Sequence, residues 1–118
     1  MSTIAAIAVV VIALLHVYFL VIEMFYWTKP LGRRAFGLTP EFAEASKTLA
    51  ANQGLYNGFL AAGLLWSVYL GAAGRSIAIF FLGCVIIAGV FGAVTANKKI
   101  LYVQALPAAI ALALVLYL

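Results

Sequence analysis

Four long apolar segments, separated by short polar stretches, make up most of this sequence. They cover residues 4–27, 49–70, 77–96 and 100–118. A helix needs about 20 mostly apolar residues to cross a bilayer, and each segment has roughly that length. Charged residues amount to 8% of the chain, whereas average soluble domains carry about 25%. So few charges would not cover a soluble surface. The sequence therefore predicts an all-α integral membrane four-helix bundle, folded as a single transmembrane domain over residues 1–118.

Lysine and arginine are concentrated in two of the polar stretches. Six of the seven lie there: Lys29, Arg33, Arg34, Lys47, Lys98 and Lys99. The seventh, Arg75, follows the second apolar segment. Since positively charged loops stay in the cytoplasm, we predict that both termini lie outside it and that residues 28–48 form a cytoplasmic loop. Cations divided in this way form no stripe that could follow a phosphate backbone, so no nucleic-acid partner is predicted.

The segment before the second span carries a helix-start signal. Thr39 is a suitable N-cap, Pro40 a suitable first helical residue, and Glu41 and Glu44 favour the positive end of the helix dipole. We therefore expect helix 2 to begin near Pro40 and to extend on the cytoplasmic side of the membrane. Upstream, proline and glycine in residues 28–34 predict the end of the first helix. Within the fourth span, Pro107 predicts a kink.

Glu23 and His16 are the ionisable residues of the first span. They are seven residues apart, which places both on one helix face about 10 Å from each other. Intramembrane ionisable groups are costly and usually face a partner, a cavity or water. The pair predicts a proton-linked or acid–base site. In the alternative interpretation, Glu23 rises to the interface and pairs with a basic residue of the following loop, and His16 is a neutral packing residue.

The start of the second span contains the densest polar patch of the sequence. Its members are Asn52, Gln53, Tyr56 and Asn57. Unpaired amides in hydrocarbon cost several kcal/mol, so we expect them to face other helices. If the first two spans pack as antiparallel neighbours, Asn57 and Gln53 can reach Glu23. The patch is then either a polar binding site or a set of interhelical hydrogen bonds. Gly54 and Gly58 form a small-xxx-small pair that favours close packing, within the chain or in a homo-oligomer.

Several kinds of site are missing from the sequence. The chain has one histidine and one cysteine, which do not make up a zinc, haem or iron–sulfur ligand set. It contains no P-loop, dinucleotide fingerprint or GxSxG motif. We therefore predict no metal and no cofactor. The predicted partners are membrane lipid and an amphipathic small molecule.

Three stretches of the sequence are distinctive. They read EMFYW at residues 23–27, FGLTPEF at residues 36–42 and AANQGLYNGFLAAG at residues 50–63. Together they resemble the bacterial membrane-protein family called domain of unknown function 1304. The resemblance implies a small, four-span, multi-pass protein of the bacterial cytoplasmic (inner) membrane and supplies no activity. Residues shared in the family match this chain at His16, Glu23, Asn52, Gln53, Tyr56 and Asn57.

Three functions are compatible with these observations. The first is a polar site for a small molecule or a lipid near the cytoplasmic leaflet, whether or not the protein is an enzyme. The second is a small proton-coupled transporter, although the six-to-one charge bias argues against the dual insertion found in some such proteins. The third is a non-catalytic membrane assembly partner.

Overall fold

The computed structural model covers residues 1–118 and contains helices and turns without strands. This confirms the all-α prediction. In chain order the elements are α1 (Thr3–Val21), a π-helical turn (Ile22–Tyr26), α2 (Pro30–Phe36), α3 (Pro40–Leu70), a 3-10 turn (Gly71–Gly74), α4 (Arg75–Thr95), a second π-helical turn (Leu101–Ala105) and α5 (Leu106–Tyr117).

By length and composition, two helical runs are suited to crossing a membrane. They are Thr3–Tyr26 and Pro40–Thr95, and the apolar run Leu101–Tyr117 is shorter. The long run joins α3 and α4 through the 3-10 turn. Gly71 opens that turn with a left-handed φ of 63°, a backbone conformation that L-residues with side chains rarely adopt.

The chain divides into two compact units. The Glu23 unit comprises residues 14–61, and the hairpin unit comprises residues 1–13 with 62–118. In the hairpin unit, glycines set the distances between helices. A Cβ atom at Gly89 of α4 would lie 2.7 Å from the backbone nitrogen of Ala105, and one at Gly63 of α3 would overlap the Phe81 ring. Small residues at these positions therefore allow α4 to contact both α3 and the final helical run.

The start of α3 agrees with the sequence prediction. The helix begins at Pro40, and the Phe42 amide donates a hydrogen bond of 3.1 Å to the Thr39 hydroxyl. This is the N-cap contact that satisfies one of the free amides of the first turn. From there α3 runs without interruption for 31 residues to Leu70.

Residues 28–39, which lie in the predicted cytoplasmic loop, contain the short helix α2. Pro30 occupies its first turn, where the missing N–H is not needed. At its other end Gly37 adopts a left-handed φ of 64°, and the Leu38 amide donates to the Arg33 carbonyl at 2.9 Å. Proline and glycine that end one helix thus also delimit another.

Pro107 lies inside the last helical run, Leu101–Tyr117, as the sequence predicts. It lies in the first turn of α5, directly after the π-helical turn Leu101–Ala105. Because proline has no N–H, it cannot make the regular hydrogen bond of a helix interior. The wider π-helical turn directly precedes it, and the kink itself stays a prediction.

Candidate functional site

Glu23 and Asn57 form the central contact of the Glu23 unit. Glu23 lies in the π-helical turn that continues α1, and Asn57 lies on α3. The Asn57 side-chain amide donates a partly buried hydrogen bond of 2.5 Å to Oε1 of Glu23. The approach of Asn57 to Glu23 expected from the sequence is therefore present. Turns of π-helix are frequent at functional sites, because they redirect side chains relative to the regular helix.

Gly54 explains why Asn57 can reach the carboxyl group. Gly54 is buried, and a Cβ atom there would lie 2.7 Å from Cγ of Met24 and 3.1 Å from Cβ of Glu23. One turn later, a Cβ atom at Gly58 would lie 2.7 Å from Cδ1 of Leu20. The small-xxx-small pair thus serves packing within the chain. It brings α3 close enough to the end of the first helix for the short side chain of Asn57 to bridge the gap.

A groove of about 340 Å³ opens beside this pair, and we call it the Glu23 groove. Its lining consists of Glu23, Met24, Phe25, Trp27, Thr28, Lys47, Thr48 and Ala51. The carboxyl group of Glu23 thus shares the groove with apolar side chains, two hydroxyl groups and one ammonium group. Such a mixture suits a ligand that has both an apolar part and a polar head.

Trp27 fixes one wall of the Glu23 groove. Its indole N–H donates to the Ser46 hydroxyl at 3.0 Å, and Ser46 in turn donates to the Phe42 carbonyl at 2.6 Å. The ring also packs against Phe36 of α2, with 5.1 Å between ring centroids. In the sequence, Trp27 stands out only as a member of the EMFYW stretch. Its spacing from Ser46 in the sequence, 19 residues, gives no sign of this hydrogen bond.

Three residues of the predicted polar patch lie away from the groove. Asn52, Gln53 and Tyr56 are exposed and do not line it. The expectation that the amides face other helices holds for Asn57 in this unit and is wrong for Asn52 and Gln53. Helix geometry accounts for Asn52: Asn57 follows Gly54 by three residues and lies near its face, whereas Asn52 points to nearly the opposite side of α3.

His16 is separate from the groove as well. It is fully buried, and its ring meets Phe19 edge-on with 5.4 Å between ring centroids. The structure therefore brings together two of the six candidate residues, Glu23 and Asn57, and of these two Glu23 lines the groove.

The cations of the following loop are not partners of Glu23. Glu23 makes no ion pair with Lys29, Arg33 or Arg34, and the ion pair that the structure contains joins Lys47 to Glu44 at 2.5 Å. No group of three histidine, cysteine, aspartate or glutamate side chains is placed to hold a metal ion. The alternative in which Glu23 rises to pair with that loop is thus not realised, and its polar partner is Asn57 on α3.

Comparison with known proteins identifies the family. The model of the family described as "Protein of unknown function (DUF1304)" matches residues 10–116, which is nearly the whole chain. The chain belongs to this family. The resemblance seen in the sequence is thereby confirmed. Within the DUF1304 family match lie Glu23, Asn57 and every residue that lines the Glu23 groove.

One curated relative is similar over most of its length. The chain is 32% identical over 106 residues to the uncharacterized protein YpaA of Lactococcus lactis subsp. lactis (strain IL1403), covering 88% of this chain and 89% of the relative. No solved structure matches the chain.

Proposed function

We propose that this chain is a four-span membrane protein whose Glu23 groove binds an amphipathic small molecule or lipid at the cytoplasmic leaflet. The observation that carries the proposal is the Glu23–Asn57 hydrogen bond, which fixes a carboxyl group in the lining of a groove that it shares with the apolar side chains of Met24, Phe25 and Trp27. Ionisable groups inside apolar helices are costly and are usually retained for a function.

Helix length supports the membrane part of the proposal. At 31 residues, α3 is about 46 Å long, whereas the hydrocarbon core is about 30 Å thick. If its last 20 residues span the membrane, the exposed amides of Asn52 and Gln53 lie at the headgroup level, where water can satisfy them. The same placement puts the Glu23 groove at the cytoplasmic leaflet, next to the basic residues of the first loop.

Orientation is tested by fusing reporters to the full chain. We expect a periplasmically active reporter, such as alkaline phosphatase, to be active when it follows Leu118 and inactive when it is inserted after Gly37. The reason is that six cations lie in the two loops assigned to the cytoplasm and one lies on the other side. A reporter after Leu118 that acts only in the cytoplasm would contradict the proposed orientation.

The lining of the groove indicates the class of ligand. Glu23 can accept a hydrogen bond from an ammonium or hydroxyl headgroup, while Met24, Phe25 and Trp27 provide apolar contact for a chain or ring. Lys47 lines the groove too, but it is paired with Glu44. We therefore expect a headgroup that donates hydrogen bonds to bind better than one that carries a carboxylate.

Dodecylamine is a suitable probe for this expectation. Added to the purified chain in a neutral detergent, it should raise the midpoint of thermal unfolding by about 5 °C at saturation, because a ligand that binds only the folded state stabilises it. The Glu23→Gln variant should lose most of this rise. The control Glu41→Gln should keep it, since Glu41 is exposed and lies outside the groove. An equal rise with dodecanoic acid, or an undiminished rise in Glu23→Gln, would refute the proposed ligand class.

A further inference from the structure

A second groove lies at α2 and shares no residue with the Glu23 groove. It has a volume of about 330 Å³ and is lined by Pro30, Arg33, Arg34 and Leu38. We call it the arginine groove. Two guanidinium groups on one short helix, one residue apart, thus share a concave surface with two apolar side chains.

The backbone around the arginine groove is held in place from both sides. Gly32 is buried directly against the backbone of Tyr26 and Trp27, so that an added Cβ atom would overlap it. At the other end, Gly37 adopts a left-handed backbone conformation, and the Leu38 amide donates a hydrogen bond to the Arg33 carbonyl. These contacts fix the backbone of α2, which carries the residues that line the groove.

The charges in the arginine groove lack an internal counter-charge. Neither Arg33 nor Arg34 forms an ion pair, and Glu44 at the start of α3 is paired with Lys47. The Nε atom of Arg33 is buried and has no hydrogen-bond partner within the chain, so no internal acceptor holds this guanidinium group. Because Nε is closed to solvent, an external anion in the groove meets the outer nitrogens of the guanidinium groups. Planar guanidinium groups suit phosphate in particular, because they can donate two parallel hydrogen bonds to its oxygens.

Apolar residues beside the groove distinguish a lipid from a soluble phosphate. Leu31 and Phe36 of α2 are exposed, at 49% and 41%. A short helix with cations and exposed apolar side chains is suited to the membrane interface, where acyl chains cover the apolar groups and headgroups meet the cations.

We propose that the arginine groove binds the phosphate of an anionic phospholipid headgroup, with Arg33 and Arg34 as the phosphate ligands and Leu31 and Phe36 in contact with the acyl chains. This goes beyond the function proposed for the Glu23 groove and does not involve that site. It does rest on insertion of the chain in a membrane.

Native mass spectrometry of the full chain in a neutral detergent tests this inference. Phosphatidylglycerol and phosphatidylcholine with identical acyl chains are titrated in competition. The unmodified chain should retain phosphatidylglycerol with about tenfold preference, because each basic residue near the headgroups contributes to binding of anionic lipid. The double variant Arg33→Gln/Arg34→Gln should lose this preference. The single variant Arg34→Gln, which changes an exposed side chain, should lose part of it even if the double variant does not fold.

The matched control is Lys98→Gln/Lys99→Gln, which removes the same charge from the other basic loop, outside the lining of the arginine groove. It should keep the preference. An equal loss in both double variants would overturn the inference in favour of general electrostatic attraction. Displacement of the lipid by millimolar inorganic phosphate would overturn the assignment to lipid. A chain that stays soluble without detergent would contradict membrane insertion and this inference together, whereas a detergent-dependent chain without lipid preference would contradict this inference alone.

Discussion

Replacing Asn57 by leucine is expected to lower the free energy of unfolding by about 2 kcal/mol, whereas replacing Glu23 and Asn57 together by leucine restores it to within about 1 kcal/mol of the original chain. A carboxyl group left without its donor in apolar surroundings retains the full cost of desolvation, while removal of both polar groups removes that cost. The hydrogen bond concerned is the one of 2.5 Å between Asn57 and Oε1 of Glu23.

Reversible unfolding of the purified chain by titration with sodium dodecyl sulfate, followed by tryptophan fluorescence, measures these differences. The control is Gln53→Leu, which removes an exposed amide one turn before Asn57 and should change the free energy by less than about 0.5 kcal/mol. The double variant should be stable but should no longer bind dodecylamine. If the two substitutions prove additive, the hydrogen bond does not couple these residues.

Replacing Gly54 by leucine is expected to have the larger structural effect, with a loss of about 3 kcal/mol. A side chain at this position collides with Met24 and Glu23 and approaches the Leu20 carbonyl oxygen, to which a Cβ atom would be only 3.2 Å away. The Met24 side chain can move, but the backbone of α1 cannot do so without separating the two helices. Overpacking of this kind typically costs about 1–3 kcal/mol, and the loss of the Glu23–Asn57 hydrogen bond adds to it.

The matched control for Gly54 is Gly83 of α4, where an added Cβ atom would meet nothing within 4 Å. Gly83→Leu should leave the midpoint of unfolding unchanged or slightly higher, because leucine favours a helix more than glycine does. Gly54→Leu should also abolish stabilisation by dodecylamine. Equal stability of the two variants would mean that close packing at Gly54 is not what places Asn57 at the carboxyl group.

The candidate site was only partly predictable from the sequence. Glu23 was recognisable because a carboxyl group inside an apolar segment has no topological role, and Asn57 belonged to the only dense patch of amides. The sequence could not show which polar residue of the patch a neighbouring helix would enclose, because residues 52–57 cover about half of the helix circumference. The direction from which a neighbouring helix approaches decides which of them is enclosed. Here Gly54 and Gly58 set that direction, and Asn57, three residues after Gly54, lies near the Gly54 face.

Two of the groove residues, Trp27 and Lys47, were less accessible to sequence reasoning. Lys47 was noted for its charge alone, and Trp27 only as a member of the EMFYW stretch. The place of Trp27 in the Glu23 groove depends on the short helix α2, whose Phe36 packs against the Trp27 ring and whose Gly32 lies against the backbone of Tyr26 and Trp27. Contacts of this kind join residues whose separation along the chain follows no period, so no pattern in the sequence indicates them.

By itself, the sequence determined the helical character of the chain, the start of α3 at Pro40 and the family to which the chain belongs. Those properties depend on local preferences and on distinctive stretches of residues, which are read one segment at a time. Only the tertiary structure decided that Asn57 rather than Gln53 binds Glu23, that His16 is buried apart from the groove, and that Arg33 and Arg34 share a groove of their own. The physical reason is that pairing of side chains is fixed by the rotation and separation of packed helices, and small residues set these for each pair.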